Sequence, residues 1–182
     1  MCCAFLRGVN VNGRNMKMAE VCETFRSAGM KAVSSVLATG NIIFQSDEDN
    51  PILCKTLEFV LNEHFQMESR LYIKSVNEIK AMLDAVPYMF DPDWHIYAFI
   101  CDLGFEQVLV EEFNTITQDR QSDELAVVHN EYFFWRVRKG STLDMPFSKI
   151  LSSRKFREKF TSRNIGTVEK VYGKMSYKED GI

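Results

Sequence analysis

Long apolar runs are absent from this chain of 182 residues: no apolar stretch of about 18 residues occurs, which excludes a transmembrane helix. The N-terminus also lacks the basic and then apolar pattern of a signal peptide, since Arg7 and Gly8 follow only six residues. Apolar residues make up 46% and charged residues 26% of the chain, and such ordinary globular values exclude a disordered protein. We therefore expect a folded cytoplasmic protein with no membrane partner.

The cysteines have neither the number nor the spacing of a disulfide framework or a zinc site. Five occur, which is an odd number, and no two follow the Cys-x-x-Cys pattern. Reduced thiols are the simplest interpretation, and they agree with a cytoplasmic protein. We predict that all five are free thiols: Cys2, Cys3, Cys22, Cys54 and Cys101.

Motifs of known enzyme classes are also scarce. The three histidines have no mutual spacing suited to a ligand pair, and none adjoins a cysteine, so we predict no metal site. The sequence has no Gly-x-Ser-x-Gly, no Walker loop and no His-Glu-x-x-His, and Gly8 and Gly13 do not follow the dinucleotide fingerprint. No cofactor is predicted. An enzyme stays an open alternative, although no nucleophile beside a base is visible.

One segment is unlike a packing segment. Residues 7–15 read RGVNVNGRN and supply two guanidinium groups, three side-chain amides and two glycines. An apolar run before them predicts a strand, and an amphipathic pattern after them predicts a helix near 16–28. A loop at such a junction can hold an anion, because backbone N–H groups and the helix dipole point the same way. It can equally be a turn whose Asn and Gly residues supply positive φ values. Both interpretations stay open.

The periodicity predicts the same order of elements twice. The first half reads strand, helix, two strands around residues 38–41, helix and strand, which is the β-α-β-β-α-β unit of a ferredoxin-like sheet. The second half repeats this order from residue 94 and adds a helix at the C-terminus. The predicted fold class is therefore α+β, with two ferredoxin-like halves in tandem. The predicted parts are residues 1–75, a helix and linker at 76–93, and residues 94–182.

Local signals refine this prediction. Ser75 and Glu78 have the spacing of a capping box and should open a short helix. Further along, the pattern predicts a helix near 147–157, a short strand near 158–162 and a last helix from about 165 to 176.

The split unit has a geometric consequence. Its first two strands run parallel, with the third strand between them and antiparallel to both. The end of the first strand therefore lies at the same end of the sheet as the turn between the second and third strands. We expect the loop 7–15 and the turn 39–41 to be neighbours in space.

Charge is distributed unevenly. Residues 1–135 carry 10 Lys and Arg against 20 Asp and Glu, whereas residues 136–178 carry 12 against 3. A basic segment of this kind can bind nucleic acid, or it can be a solvated surface or complement the acidic part. The residues that would serve nucleic-acid binding are Arg154, Lys155, Arg157, Lys159 and Arg163.

Two further segments have alternative interpretations. The aromatic run 132–135 could stack bases, but consecutive strand residues point to opposite faces, so core packing is favoured. Asn164 is a good helix N-cap, and Arg163 beside it could share an anion with the helix N-terminus or remain in solvent.

Three segments together resemble a widespread bacterial family of domains of unknown function. They are LRGVNVNGRN at 6–15, ATGNIIF at 38–44 and TSRNIGTVEKV at 161–171, in the family's order across nearly the whole chain. The resemblance implies a cytosolic α+β protein of ferredoxin-like parts with no established activity, cofactor or catalytic residue. The family usually has a glycine at position 12, a serine at position 39 and a Lys-x-Pro-Met form near 15–18, which this chain lacks. The matching motif positions are Arg7, Gly8, Asn10, Gly13, Asn15, Gly40, Asn41, Arg163, Asn164 and Thr167.

The predicted function is the binding of a small anionic or phosphorylated ligand at the loop 7–15 and the turn 39–41. Arginine would supply charge-assisted, bidentate bonds, and the amides would orient the ligand. The alternative is a nucleic-acid-binding module that uses segment 136–178. The predicted ligand-binding residues are Arg7, Asn10, Arg14, Asn15, Thr39, Asn41, Arg163 and Asn164.

Overall fold

The protein consists of two compact units. The first comprises residues 1–80 and 169–182, and the second comprises residues 81–168. No helix in the described ranges combines the length and the apolar composition that crossing a membrane requires. The computed structural model describes residues 1–11, 14–48, 50–118, 123–153, 155–156 and 158–180, with side chains except at 10–11, 14–15, 50 and 178–180.

The first unit is built on a four-stranded antiparallel sheet in the order β4-β5-β1-β6. The first strand, β1, is therefore central, and the third strand of the unit lies between the first and the second, as in a ferredoxin-like sheet. A small hairpin, β2–β3, is inserted after β1. The elements are β1 (Cys2–Arg7), β2 (Asn10–Val11), β3 (Arg14–Asn15), α1 (Met18–Ser27), β4 (Lys31–Ser35), β5 (Asn41–Gln45), α2 (Asn50–Phe65) and β6 (Arg70–Ser75).

The second unit has the same topology, with the sheet order β10-β7-β9-β8. The predicted fold class, α+β with two tandem ferredoxin-like halves, is confirmed. The elements are α3 (Val76–Asp84), β7 (Trp94–Cys101), α4 (Phe105–Thr117), β8 (Glu124–His129), β9 (Tyr132–Arg138), α5 (Pro146–Leu151), β10 (Phe160–Asn164) and the additional helix α6 (Ile165–Asp180). The unit boundaries fall within α3 and α6.

Each sheet packs its own helices over one apolar face. In the first unit, alternate strand residues such as Ala4 and Leu6 join the buried face of α1 and α2. In the second unit, Phe99, Phe133 and Trp135 do the same beneath α4 and α5. The aromatic run 132–135 is thus packed, with Phe133, Phe134 and Trp135 all buried, and the prediction of core packing is confirmed.

The predicted capping box is present at the start of α3. The amide of Glu78 donates to Ser75 Oγ at 3.3 Å, and the amide of Ser75 donates to Glu78 Oε2 at 2.8 Å.

All five cysteines are free thiols, as predicted.

The segment before the last helix differs from the prediction. Helix α5 ends at Leu151 rather than near 157, because the serines that follow it favour turns and Phe156 leaves the helical path to enter the core. The strand predicted at 158–162 is β10 at Phe160–Asn164, so Arg163 and Asn164 belong to a strand. The helix predicted from 165 begins at Ile165, as expected.

Candidate functional site

The end of the first sheet at which β1 finishes brings two arginines together. Arg7 is the last residue of β1, and its antiparallel partner across the sheet is Arg70, the first residue of β6. Both side chains are half-buried. Residues directly opposite in such a pair have their Cβ atoms about 5 Å apart. We call this part of the first unit the Arg7 end; it comprises Arg7, Arg70 and the turn 36–41.

Alternation along the strands decides which face these arginines occupy. Ala4 and Leu6 of β1 belong to the core beneath the helices, so Arg7 lies on the opposite face. Asn41 shares this face, because its register partner in β1 is Phe5. Arg7 is thus diagonal to Asn41 on neighbouring strands, a relation that corresponds to about 7–8 Å. The two segments predicted to be neighbours are therefore neighbours.

A backbone hydrogen bond and a close approach join the turn 36–41 to the end of β1. The amide of Leu6 donates to the carbonyl of Gly40 at 2.7 Å. Gly40 has a φ of +73°, and a Cβ at this position would lie 2.5 Å from Val9 Cγ2 and 3.0 Å from Leu6 Cβ. Only glycine satisfies both the left-handed backbone and the lack of space.

The Asn41 side chain stabilises this turn by hydrogen bonds within it. It is fully buried, and its Nδ2 donates to the carbonyl of Val36 at 2.9 Å and to Thr39 Oγ1 at 3.0 Å. Both amide hydrogens are therefore used within the turn. Thr39 is exposed and accepts from Asn41, which leaves its hydroxyl hydrogen directed to other acceptors. Thr39 is consequently better placed than Asn41 to contact a ligand.

The loop after Arg7 forms a short hairpin. Gly8 has a φ of +83°, and beyond it Asn10 pairs with Asn15 and Val11 with Arg14. The amide of Met16 donates to the carbonyl of Val9 at 3.0 Å and closes the hairpin at its base. Asn10, Arg14 and Asn15 are predicted ligand-binding residues, but the structure does not describe their side chains. Asn12 and Gly13 lie outside the described residues. Their roles stay predictions.

Two cations at this end were missed by sequence reasoning. Arg70 becomes a neighbour of Arg7 only through the register of β1 with β6. Lys174 of α6 is exposed, and its Nζ donates to the carbonyl of Ser35 at 3.0 Å, next to the turn 36–41. No pattern within the segment around either residue distinguishes it from a solvated lysine or arginine.

The C-terminal candidates lie in the second unit. Asn164 Oδ1 accepts from the amide of Gly166 at 3.0 Å, so the predicted N-cap is present at the start of α6. The Nη1 of Arg163 donates to Thr161 Oγ1 at 2.7 Å and to the carbonyl of Ser162 at 2.9 Å. The guanidinium is thus tied to its own strand, and an anion shared with the helix N-terminus stays a prediction.

Asn164 also orients a histidine. Its Nδ2 lies 2.9 Å from His95 Nδ1. Because an amide nitrogen can only donate, His95 Nδ1 accepts and the imidazole proton is on Nε2. Burial lowers the pKa of His95 below its ordinary value, and the nearby charge of Lys139 lowers it further. The neutral imidazole is therefore the favoured form.

Of the basic residues of the alternative function, Lys155 and Lys159 lie on the connection between α5 and β10. Lys155 pairs with Glu112 at 3.5 Å and lies 4.9 Å from the ring centre of Phe156. Lys159 is exposed, whereas Arg154 and Arg157 lie outside the described residues. Within the described ranges, no group of three or more His, Cys, Asp or Glu side chains is arranged to hold a metal ion.

Comparisons with known proteins agree with this architecture. A family model described as a protein of unknown function (DUF1697) matches residues 1–133. Among solved structures, the chain is similar to a conserved bacterial protein, SP0830, from Streptococcus pneumoniae, with 22% sequence identity and a TM-score of 0.75. The similarity covers 96% of this chain and 97% of that one, and at this identity it shows the fold alone. No curated protein matches the chain.

Proposed function

Because the chain belongs to the DUF1697 family, whose description assigns no activity, we propose from its own geometry that the Arg7 end binds a small anionic or phosphorylated ligand. The observation that carries the proposal is the pairing of Arg7 with Arg70 across β1 and β6. The register holds the two guanidinium groups side by side, where both can donate charge-assisted hydrogen bonds to one anion. Guanidinium groups suit carboxylate and phosphate because their donors form a planar fork.

Other groups at this end have complementary roles. The Thr39 hydroxyl can donate to a ligand oxygen, and the Lys174 ammonium lies against the carbonyl of Ser35, next to the turn 36–41. The hairpin β2–β3, which follows Arg7 in the chain, carries Asn10, Arg14 and Asn15, and their side chains would orient the ligand. Asn41 contributes by holding the turn in shape rather than by direct contact.

Ligand-dependent thermal stability tests this proposal. Inorganic phosphate, nucleotides and sugar phosphates are screened against the intact protein. A ligand present at a hundredfold excess over its Kd should stabilise it by about 2.7 kcal/mol. Arg7→Ala should abolish this stabilisation while leaving the unliganded stability within about 0.5 kcal/mol.

Lys31→Ala is the matched control, because Lys31 is an exposed cation on β4 of the same unit and lies outside the Arg7 end. It should keep the full ligand response. An equal loss of response in Lys31→Ala would show a non-specific charge effect and contradict the proposal.

Nucleic-acid binding is the second candidate, favoured by exposed cations on the second unit. Arg138, Lys139, Lys149, Lys155 and Lys159 all face solvent. Fluorescence anisotropy with labelled single-stranded oligonucleotides separates the two functions. Binding to a phosphate backbone should weaken steeply with salt, with a log–log slope of about −0.7 per phosphate contacted. Arg7→Ala should leave such binding intact, whereas the small-ligand site would lose its response.

A further inference from the structure

Two adjacent apolar side chains stand almost entirely in solvent on the second unit. Met89 is 89% exposed and Phe90 is 90% exposed, on the connection between α3 and β7. Single apolar side chains are common on protein surfaces, but two neighbours at this exposure form a projecting apolar tip. We call Met89 and Phe90 the 89–90 tip.

One arginine holds the chain on both sides of the 89–90 tip. The guanidinium carbon of Arg136 lies 5.7 Å from the ring centre of Tyr88, and Arg136 Nη2 donates to Asp91 Oδ2 at 3.0 Å. The same guanidinium lies 4.5 Å from the ring centre of Trp94. Because the flanking residues are anchored to the sheet, the tip loses little conformational entropy when it docks.

The first unit has a groove of matching character between α1 and α2. Its volume is about 630 Å³, comparable with clefts that bind ligands. Phe59, which is 66% exposed, lines it together with Val60, so apolar surface is open to solvent. The carboxylates of Glu20, Glu23 and Glu63 line the same groove. We call it the α1/α2 groove.

The groove is acidic on balance. Among the described residues, its lining includes three glutamates and no lysine or arginine. Lys17, the N-cap residue of α1, pairs with Glu20, and Arg26 on α1 pairs with Glu23. Such exposed pairs contribute little and can be exchanged for an incoming cation.

The residues around the 89–90 tip carry a net positive charge, opposite to that of the α1/α2 groove. Arg138 and Lys139 are exposed at the end of β9. The guanidinium carbon of Arg138 lies 5.5 Å from the Trp94 ring centre, and the amide of Lys139 donates to the carbonyl of Asp93 at 2.9 Å. Asp93 opposes them and Asp91 is paired with Arg136, so three cations face two carboxylates around the tip.

We propose that the 89–90 tip of one chain docks in the α1/α2 groove of a second copy. The apolar tip would cover Phe59, and Arg138 and Lys139 would face the glutamates of the groove. The contact is heterologous, since each chain offers a tip to one neighbour and a groove to another. It goes beyond ligand binding at the Arg7 end and uses none of the residues of that site.

Sedimentation velocity over a range of protein concentrations tests the proposal. The wild type should self-associate reversibly and weakly, because a tip of two residues buries far less than a standard interface of about 1,600 Å². Phe90→Ser and Phe59→Ser should each weaken the association about thirtyfold or more, as loss of a central aromatic anchor does. A wild type that stays monomeric up to millimolar concentration would overturn the proposal.

Mixing the two variants makes the test specific. Phe90→Ser keeps its groove and Phe59→Ser keeps its tip, so an equimolar mixture should form a complex of two chains and no larger species. Association lost in both variants and not restored by mixing would mean a different or non-specific interface. Loss in Phe90→Ser alone would mean tip-to-tip contact. Either result overturns the proposal.

Leu103→Ser is the matched control. Leu103 is 95% exposed in the second unit and follows the opposite end of β7 from Trp94. The variant should associate as the wild type does, and weaker association would show a general effect of exposed apolar surface and contradict the proposal. Circular dichroism and thermal unfolding of each variant confirm that the fold is intact, since all three side chains are largely in solvent.

Discussion

The two units have the same topology, and they differ at the position where the first strand pairs with the last. In the first unit Arg7 is opposite Arg70, whereas the corresponding pair in the second unit is Cys101 and Phe160. The Cys101 and Phe160 side chains join the core beneath the helices. That pair faces its core whereas Arg7 faces away from its own, so the same strand end carries cations in one unit and core side chains in the other.

The loops at this end of the sheet also differ between the two units, and the longer ones are in the first unit. In the first unit, Arg7 leads into the hairpin β2–β3, and the turn 36–41 packs against the strand end. In the second unit, β7 passes to α4 through three residues, and β8 joins β9 through Asn130 and Glu131, which both have positive φ. That is a tight two-residue hairpin. The additional polar chain in the first unit is what forms a candidate ligand site.

The largest expected effect concerns the packed turn of the first unit. Gly40→Ala should destabilise the protein by about 3 kcal/mol, because it combines a left-handed backbone with a clash against Val9. Gly104→Ala in the second unit is the matched control: its φ is +85°, but nothing lies within 4 Å of the added Cβ. It should cost about 1–2 kcal/mol. Urea unfolding measures both, and equal losses would mean that the turn is not tightly packed.

The arginine pair itself gives the next effect. If the Arg7 end binds the proposed ligand, Arg70→Ala should remove the stabilisation of about 2.7 kcal/mol expected at a hundredfold ligand excess. Arg70→Lys keeps the charge but loses the planar fork, so it should retain only part of the response. The measurement is the thermal shift of the wild type, Arg70→Ala and Arg70→Lys in the presence of the ligand that the screen identifies. A full response in Arg70→Ala would remove Arg70 from the site.

A smaller effect is expected in the second unit, at the cap of α6. Asn164→Ala should lower the free energy of unfolding by about 1 kcal/mol through loss of the N-cap. Asn164→Asp keeps a capping oxygen and places a carboxylate beside His95, so the pKa of His95 should rise. NMR titration of the imidazole measures this shift, and an unchanged pKa would contradict the contact between the two side chains.

The lowered pKa of His95 also has a consequence for stability. The folded state binds the proton less readily than the unfolded chain, whose histidine has the ordinary pKa of 6.5. The contribution of His95 is therefore present above pH 6.5 and decreases as the pH falls toward the folded pKa. His95→Gln should flatten this part of the stability profile.

The smallest effect belongs to the cap of α3. Burial raises the pKa of Glu78, but the hydrogen bonds from Ser75 and the ammonium of Lys74 outweigh it, so the pKa lies below the ordinary value of 4.5. The stabilisation is thus present above pH 4.5 and decreases as the pH falls through the folded pKa. Denaturation curves between pH 3 and pH 6 should show this loss in the wild type. The same curves for Glu78→Gln should lack that part of the slope.

Sequence reasoning predicted most of the fold because its signals are local. The capping box at Ser75 and Glu78 and the N-cap at Asn164 depend on residues within a few positions of each other. The helix predicted to reach 157 failed for the opposite reason, since Phe156 leaves the helical path to enter a core assembled from distant elements. One part of the candidate site was predicted, namely that the end of β1 lies beside the turn 36–41. This proximity follows from topology alone, and the hydrogen bond from the Leu6 amide to the Gly40 carbonyl agrees with it.

The order of strands and helices, and with it the α+β class, follows from the sequence alone, because hydrophobic periodicity and capping residues act over a few positions. The tertiary structure decided which side chains meet. Arg70 lies opposite Arg7 only because β1 and β6 pair in one register, and a shift of one residue would turn every side chain to the other face. Burial of Asn41 and the anchoring of Tyr88 and Asp91 by Arg136 likewise depend on packing between residues far apart in the chain, which no local pattern encodes.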